Sequence, residues 1–342
     1  MGGPVSRASM PIAPERAERA ACMRPVVRPR PRGVPLLAVA VVAAILAVVW
    51  PAAALATFPG RSGRLLYDVG CCEAGAVSSG AFTVGPDGKG NRVWPIAREV
   101  FAPEWSPDGR RVLFSTPSGV WLARANGSHA RRVARIPDGS SGADNPTWLP
   151  DGRRIAFTAS FEEFVAKDPE TGEEDFTRSR TYVFVVAVDG AGEQRLRQGY
   201  FPTWSPVGRR LAVVVGSTIR VTAPTGRHPR TMWRGRSAPV DLDFSPDGAR
   251  IAFLDETGIR VLDTRTRRTK LIVSRDDDAV NAVVWAPDGS RLAYLFARDV
   301  PPGTRAPADE IWTVRPDGRG KRRLFRIPGD RHADHLSWQA LH

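Results

Sequence analysis

The feature that most constrains this chain is a short pattern that keeps returning. It stands as Pro103-Glu104-Trp105-Ser106-Pro107-Asp108-Gly109-Arg110-Arg111-Val112-Leu113-Phe114, and again over Pro146 to Phe157 around Trp148. Further copies run from Pro202 to Val213 around Trp204, Leu242 to Phe253 around Phe244, and Val283 to Tyr294 around Trp285. In each, an aromatic residue precedes a tight turn, and alternating apolar residues follow it. Pro sets φ for the turn, Gly takes the position that needs positive φ, and Asp caps the turn amides. With β-branched and aromatic flanks, each copy predicts a β-hairpin.

A second hairpin follows each first one. Gly119 to Ala123 leads to the turn Asn126-Gly127, Tyr182 to Val188 to Asp189-Gly190, and Ile311 to Val314 to Asp317-Gly318. Ile219 to Val221 and Ile259 to Leu262 hold the same place in their repeats. Four short strands per unit at this period predict an all-β chain, a β-propeller of four-stranded blades. At the carboxyl end Leu336-Ser337-Trp338 is a first strand with nothing after it. Near the other end Gly63 to Tyr67 is a second strand with no first. Joining them makes a sixth blade, so the expectation is a six-bladed ring over 57–342, closed by pairing of both termini.

These aromatic-Ser-Pro-Asp-Gly-Arg-apolar copies resemble the WD-like repeats of TolB-type six-bladed propellers, over about residues 60–342. The resemblance implies the ring fold and does not specify an activity. In TolB proteins a small α/β domain precedes the propeller, which docks envelope partners. Here the leader runs almost directly into the first blade.

That leader divides in two. Residues 1–33 are rich in Arg, Pro and Ala and read as disordered. Residues 34–56 hold a fifteen-residue apolar run, Leu36 to Trp50, then Pro51 and an Ala-x-Ala site ending at Ala56. A basic flank, a short apolar core and small residues at the end are the layout of a signal peptide. An uncleaved signal anchor is the alternative, since no charge falls between Arg32 and Arg61. Either way the bulk of the chain is expected outside the cytoplasm, secreted or in the cell envelope. Membrane contact would come only through an uncleaved leader. Cys71 and Cys72 are adjacent and leave open a vicinal disulfide, an external partner or buried thiols.

Formal net charge is +13, of which the seven Arg and two Glu of residues 1–56 supply +5. The remaining +8 suits anionic surfaces such as wall polymers. The arginines recur as pairs after turns, however, which predicts solvated strand ends. Nucleic-acid binding requires a basic stripe and a known module, and the sequence shows neither, so no nucleic-acid partner is expected.

Topology separates two faces. The Ser-Pro-Asp-Gly and Asp-Gly turns share one, and their uniformity predicts a passive surface. Asp108, Asp151, Asp247 and Asp288 are expected there as turn caps. Two longer insertions, Phe161 to Arg180 and Ala297 to Asp309, fall after second strands and therefore on the opposite face. The first is acidic, with Glu162, Glu163, Glu173 and Glu174 among its carboxylates. Segments leading into first strands bring Asp144, Asn145, Tyr200, Phe201, Asp241, Asn281, Asp334 and His335 toward the central mouth on that face, with Asp276-Asp277-Asp278 nearby. Oxygen ligands around a pore suit Ca²⁺, but no spaced D-x-D-x-D-G loop is present, and no cofactor is assigned. No G-x-S-x-G occurs, and Asp334 beside His335 is no triad, so no catalytic residue is named.

The expectation is a binding module that docks an envelope or extracellular protein, or a wall polymer, on the face with the insertions. The alternatives are a pore-centred lyase or lactonase using a mouth metal with His335 and Asp334, and a membrane-anchored sensor ectodomain.

Overall fold

The structure is a computed structural model that describes residues 57–70, 80–96, 99–167, 174–207, 209–275, 279–297, 309–329 and 332–342; for strand residues 164–167, 174–178 and 279 it describes the backbone. The leader, Cys71, Cys72, Glu173, Asp276 to Asp278 and most of the 297–309 insertion lie outside the described residues.

The described residues form six four-stranded antiparallel sheets, the predicted blades. The first holds β1 (Arg61–Gly70), β2 (Gly80–Val84) and β3 (Arg92–Val93). The second holds β4 (Phe101–Trp105), β5 (Arg111–Thr116), β6 (Gly119–Arg124) and β7 (Arg131–Ala134). The third holds β8 (Asp144–Trp148), β9 (Arg154–Lys167), β10 (Glu174–Ala187) and β11 (Gln194–Gln198). The fourth holds β12 (Tyr200–Trp204), β13 (Leu211–Val215), β14 (Thr218–Thr222) and β15 (Arg230–Arg234). The fifth holds β16 (Val240–Phe244), β17 (Arg250–Asp255), β18 (Gly258–Asp263) and β19 (Thr269–Ser274). The sixth holds β20 (Ala279–Trp285), β21 (Leu292–Ala297), β22 (Glu310–Val314) and β23 (Arg322–Arg326).

The last strand, β24 (His332–Leu341), supplies the missing inner strand of the first blade. It pairs antiparallel with β1, setting Leu65 opposite Trp338 and Leu66 opposite Ser337. Inner strands β4, β8, β12, β16, β20 and β24 contact one another in ring order around a central channel.

The turns form as the residues dictate. Gly109 sits at φ 65°, its amide donates to the Ser106 carbonyl at 2.8 Å, and Asp108 accepts from the Arg110 amide at 3.1 Å. Asp151, Asp247 and Asp288 cap the Arg153, Ala249 and Ser290 amides in the same way. The aromatics Trp105, Trp148, Trp204, Phe244, Trp285 and Trp338 are all buried, as packing between sheets requires. Burying each contributes on the order of 2–3 kcal/mol.

Solvated strand ends describe Arg110, Arg153 and Arg154, which are exposed, but not Arg111, Arg210 and Arg250 at the same offset from their turns. Arg111 lies 4.6 Å above the Trp148 ring of the next blade and donates to the Gly152 carbonyl at 2.9 Å. Arg210 does the same with Phe244 and Gly248, and Arg250 lies over Trp285. In the first blade the equivalent Arg64 donates to Thr83 of its own blade instead, and Gln339 on β24 makes the bond to the Gly109 carbonyl at 2.8 Å. Each stacked guanidinium thus covers an aromatic face that the ring geometry would leave half open, joining one blade to the next.

The acidic insertion is not an irregular loop. It continues the β9–β10 ladder, with Phe161 opposite Arg180, Glu163 opposite Arg178 and Lys167 opposite Glu174. Both strands extend well beyond those of the other blades, so the hairpin runs on past the rim of the ring as a two-stranded ribbon.

At the turn-face end of the channel stands Thr57. Its amide and hydroxyl donate to Asp243 at 2.8 and 2.7 Å, and the Gly60 amide donates to Pro287 O at 3.1 Å. Phe58 is buried in the apolar cluster that holds Leu113, Trp148 and Ala340. The segment thus links the fifth and sixth blades to the opposite side of the channel.

Trp338→Ala is expected to lower the unfolding free energy by about 3–5 kcal/mol in urea titration. Trp233→Ala, half-buried on outer strand β15, is expected to cost much less. Equal losses would contradict the weight given to closure.

Candidate functional site

Four inner strands share one distortion. Ala102, Asn145, Phe201 and Asp241, each three residues before the blade's aromatic, sit at φ 49°, 51°, 47° and 53°. Each pairing ladder skips at that point, as between Phe101 and Glu104 or Asp144 and Thr147. Left-handed backbone at non-glycine residues costs of order 1–3 kcal/mol and persists only when the surroundings impose it. Pro103, Pro146 and Pro202 follow three of the four, so no ladder amide is wasted there. Each bulge turns the strand start out of the sheet at the channel mouth.

Carboxylates tie strand starts together at the mouth, Ala102 among them. Asp68, on β1, accepts from the Ala102 amide of the second blade at 3.0 Å and from the His335 amide of β24 at 2.9 Å. Its Oδ2 also lies 2.7 Å from His335 Nδ1, with both side chains buried. Asp241 accepts from the Val283 amide of the sixth blade, and Asp309 from the Ala333 amide of the first at 2.8 Å. A second layer lies closer to the turn face. Ser337, Glu104 and Asp243 accept from the amides of Trp105, Trp148 and Trp285 at 3.0, 3.3 and 2.6 Å. Apart from the two Asp68–His335 bonds, which lie within the first blade, every one of these bonds crosses from one blade to its neighbour.

The sequence candidates separate accordingly. Asp144 and Asn281 are exposed at the mouth, Tyr200 retains 36% exposure, and Asp334 is half-buried. Asn145, Phe201, Asp241 and His335 are buried. Phe201 packs with Leu242 and Phe244, and the Asn145 amide donates to Thr158 Oγ1. Glu162 and Glu163 lie exposed on the ribbon, away from the inner strands, and Glu163 pairs with Arg180 at 3.0 Å. The side chain of Glu174 is outside the described residues. The carboxylate at His335 Nδ1 is that of Asp68, not of the adjacent Asp334, and His332 faces Asp309 at 3.3 Å.

Beside His335 a cleft of about 280 Å³ opens between the second and third blades. Its apolar wall is Phe101, Pro117 and Ile136, and its polar groups are Asp144, Asn145 and His335. The Ser141 amide donates to Ser160 O at 2.8 Å, which braces the cleft's edge against the base of the ribbon.

Burial dominates the electrostatics. It pushes the Asp241 carboxyl up to about 8, against the opposing effects of the Val283 hydrogen bond and nearby His335. Burial likewise raises Asp243 well above the usual carboxylate range. Asp144 is raised because surrounding protein displaces water, with His335 working the other way. Asp334 is raised by burial and then by the Asp68 carboxylate. Among the described residues, no three His, Cys, Asp or Glu side chains come together as a metal site. The arrangement provides a mouth with two open carboxyls, an amide, a phenol and a buried His–Asp pair beneath.

No family model matches the sequence, and no curated protein matches it. Solved structures do. A TolB structure from Acinetobacter baumannii superimposes with TM-score 0.63 at 16% identity, over 81% of this chain and 67% of that one. A propeller in a nidogen/laminin complex gives TM-score 0.58 at 13% identity, over 81% and 98%. An oligogalacturonate lyase in complex with manganese gives 0.52 at 13%, over 73% and 71%. At these identities the similarity establishes the shared fold, a six-bladed propeller of the TolB type.

The raised carboxyls set a sign for pH dependence. A proton held by folded Asp241 is lost in the unfolded chain above the ordinary carboxylate pKa, so this contribution is full below about pH 4 and disappears as pH rises toward 8. Thermal midpoints are therefore expected to rise as pH falls from 8 to 5. Asp241→Asn, which keeps an acceptor for Val283, is expected to flatten that slope; an unchanged slope would assign the dependence elsewhere.

Proposed function

We propose that the chain is an extracytoplasmic binding module whose partner seats on the channel mouth, between the β9–β10 ribbon and the strand starts around His335. One observation carries the reading most. Four inner strands hold strained left-handed residues at the mouth end, whereas the turn-face end is occupied by Thr57 and Phe58. Strain imposed at one end of a rigid ring is the usual mark of a working surface. Structural likeness to propellers titled as TolB and as part of a nidogen/laminin complex supports protein as the partner class, and the basic leader followed by an apolar run supports export.

A pore-centred enzyme is the second reading. The buried His335–Asp68 pair near a carboxyl raised to about 8 is a plausible acid–base set, and propellers of this shape include an oligogalacturonate lyase. The hydrogen bonds of Asp68 and Asp241 to neighbouring strands favour binding, since they already account for those carboxylates structurally.

Affinity capture from envelope extract separates the two. The purified chain is expected to retain specific proteins that are lost with Asp144→Ala/Tyr200→Ala and with a ribbon shortened by replacing 161–180 with a tight turn. Identical capture by all three baits would contradict mouth docking. Lyase activity on uronate oligosaccharides that disappears in His335→Ala would establish the enzyme.

A further inference from the structure

The fourth strand of each blade is its free outer edge, and the turn leading into it lies on the turn face. These edges differ sharply in charge around the ring. In the fourth blade, 226–234 holds Arg227, Arg230 and Arg234 with no acid. In the fifth, 265–274 holds Arg265, Arg267, Arg268 and Lys270 with no acid. In the sixth, 318–326 holds Arg319, Lys321 and three further arginines, again with no acid. These are twelve basic residues on three adjacent edges, all exposed. The matching spans of the first three blades (88–93, 127–134, 190–198) hold six, with Glu193 among them.

We propose that the outer edges of the fourth, fifth and sixth blades form a docking surface for a flexible anionic glycopolymer. Protection of free edges against strand pairing applies to all six alike, so it leaves the asymmetry unexplained. On the first three blades the arginines are largely engaged: Arg131 donates to Val188 O, Arg195 lies over Tyr182, and Arg197 donates to Gly226 O. On the other three, Lys270 donates to the Asp317 carbonyl and Arg323 pairs with Glu310, while Arg230, Arg234, Arg268, Arg322 and Arg326 make no ion pair among the described residues.

Shape and chemistry select the polymer. The charges follow a convex arc over three blades, which a bending chain can track more closely than a flat bilayer. Leu271 is the one large apolar side chain exposed on these edges among the described residues, too little to insert into lipid. Bases of single-stranded nucleic acid need exposed aromatic platforms. Trp233 is instead folded against Phe253, ring centroids 4.8 Å apart, and Phe325 against Tyr67 at 6.4 Å.

The test uses the full chain and four probes: dextran sulfate, neutral dextran, phosphatidylglycerol vesicles and oligo-dT. One variant combines Arg265→Gln, Arg268→Gln, Lys270→Gln, Arg319→Gln and Arg322→Gln. Its control removes the same charge from the other edges through Lys89→Gln, Arg92→Gln, Arg131→Gln, Arg132→Gln and Arg195→Gln. Thermal midpoints confirm that both fold. Dextran sulfate is expected to bind with strong salt dependence and neutral dextran not at all. The first variant is expected to weaken binding at least about tenfold and the control less than about twofold, as localised charge demands. Equal losses would reduce the effect to net charge and overturn the proposal. So would failure to bind dextran sulfate, or tighter binding of vesicles or oligo-dT.

Discussion

The pairing of β24 with β1 is the constraint on which the rest of this molecule depends. It turns an open row of hairpins into a ring, and it carries His332 to Leu336 from the end of the chain to the channel mouth. Asp68 makes that joint chemical as well as geometric. One carboxylate holds the His335 amide and ring on β24 and the Ala102 amide on β4, so strands from both ends of the propeller and from the second blade meet at a single side chain. Without β24 the first blade would leave β1 as an unpaired edge with a ladder of open amides.

Polar groups at the channel have two employments. Asp68, Asp241, Asp243, Glu104 and Asp309 accept amides across blade boundaries, and burial raises the pKa of Asp241, Asp243 and Asp309. Such groups hold the ring and fix the shape of the mouth. Asp144, Tyr200, Asn281 and Asp334 stand outside that scheme and face solvent, which is where a partner would touch. The bulges link the two sets: each tilts a strand start away from its ladder, Asp68 of the first blade holds the one at Ala102, and Asp241 reaches from its own bulge to the sixth blade.

Much of the fold was legible because it is written in short-range chemistry. An aromatic, a Pro-Asp-Gly turn and alternating apolar residues specify a hairpin without reference to anything distant, and five copies with a split sixth specify the ring. The mouth was legible only in outline. Topology placed Asp144, Tyr200, Asp241 and His335 together, but nothing local marks Asp68 as the partner of His335, since they are far apart in sequence and Asp334 is adjacent. Asp309 was hidden at the end of an insertion, and Glu104 at a repeat position that varies among Thr, Asp, Val and Ser in the other blades. The ribbon was misread for a related reason: acidic residues suggest a loop, while the two-residue period that continues the strands is weak among charges. The arginine stacking on the next blade was readable in principle, from its fixed offset to each turn.

Amide hydrogen exchange resolved along the chain tests the central claim most directly. If closure by β24 holds both the ring and the mouth, the Ala333 and His335 amides are predicted to exchange only through global unfolding, with protection equal to that of the inner strands of the other blades. Fast exchange of β24 and β1 while β12, β16 and β20 stay protected would show a ring that stands without its joint, and would contradict the account.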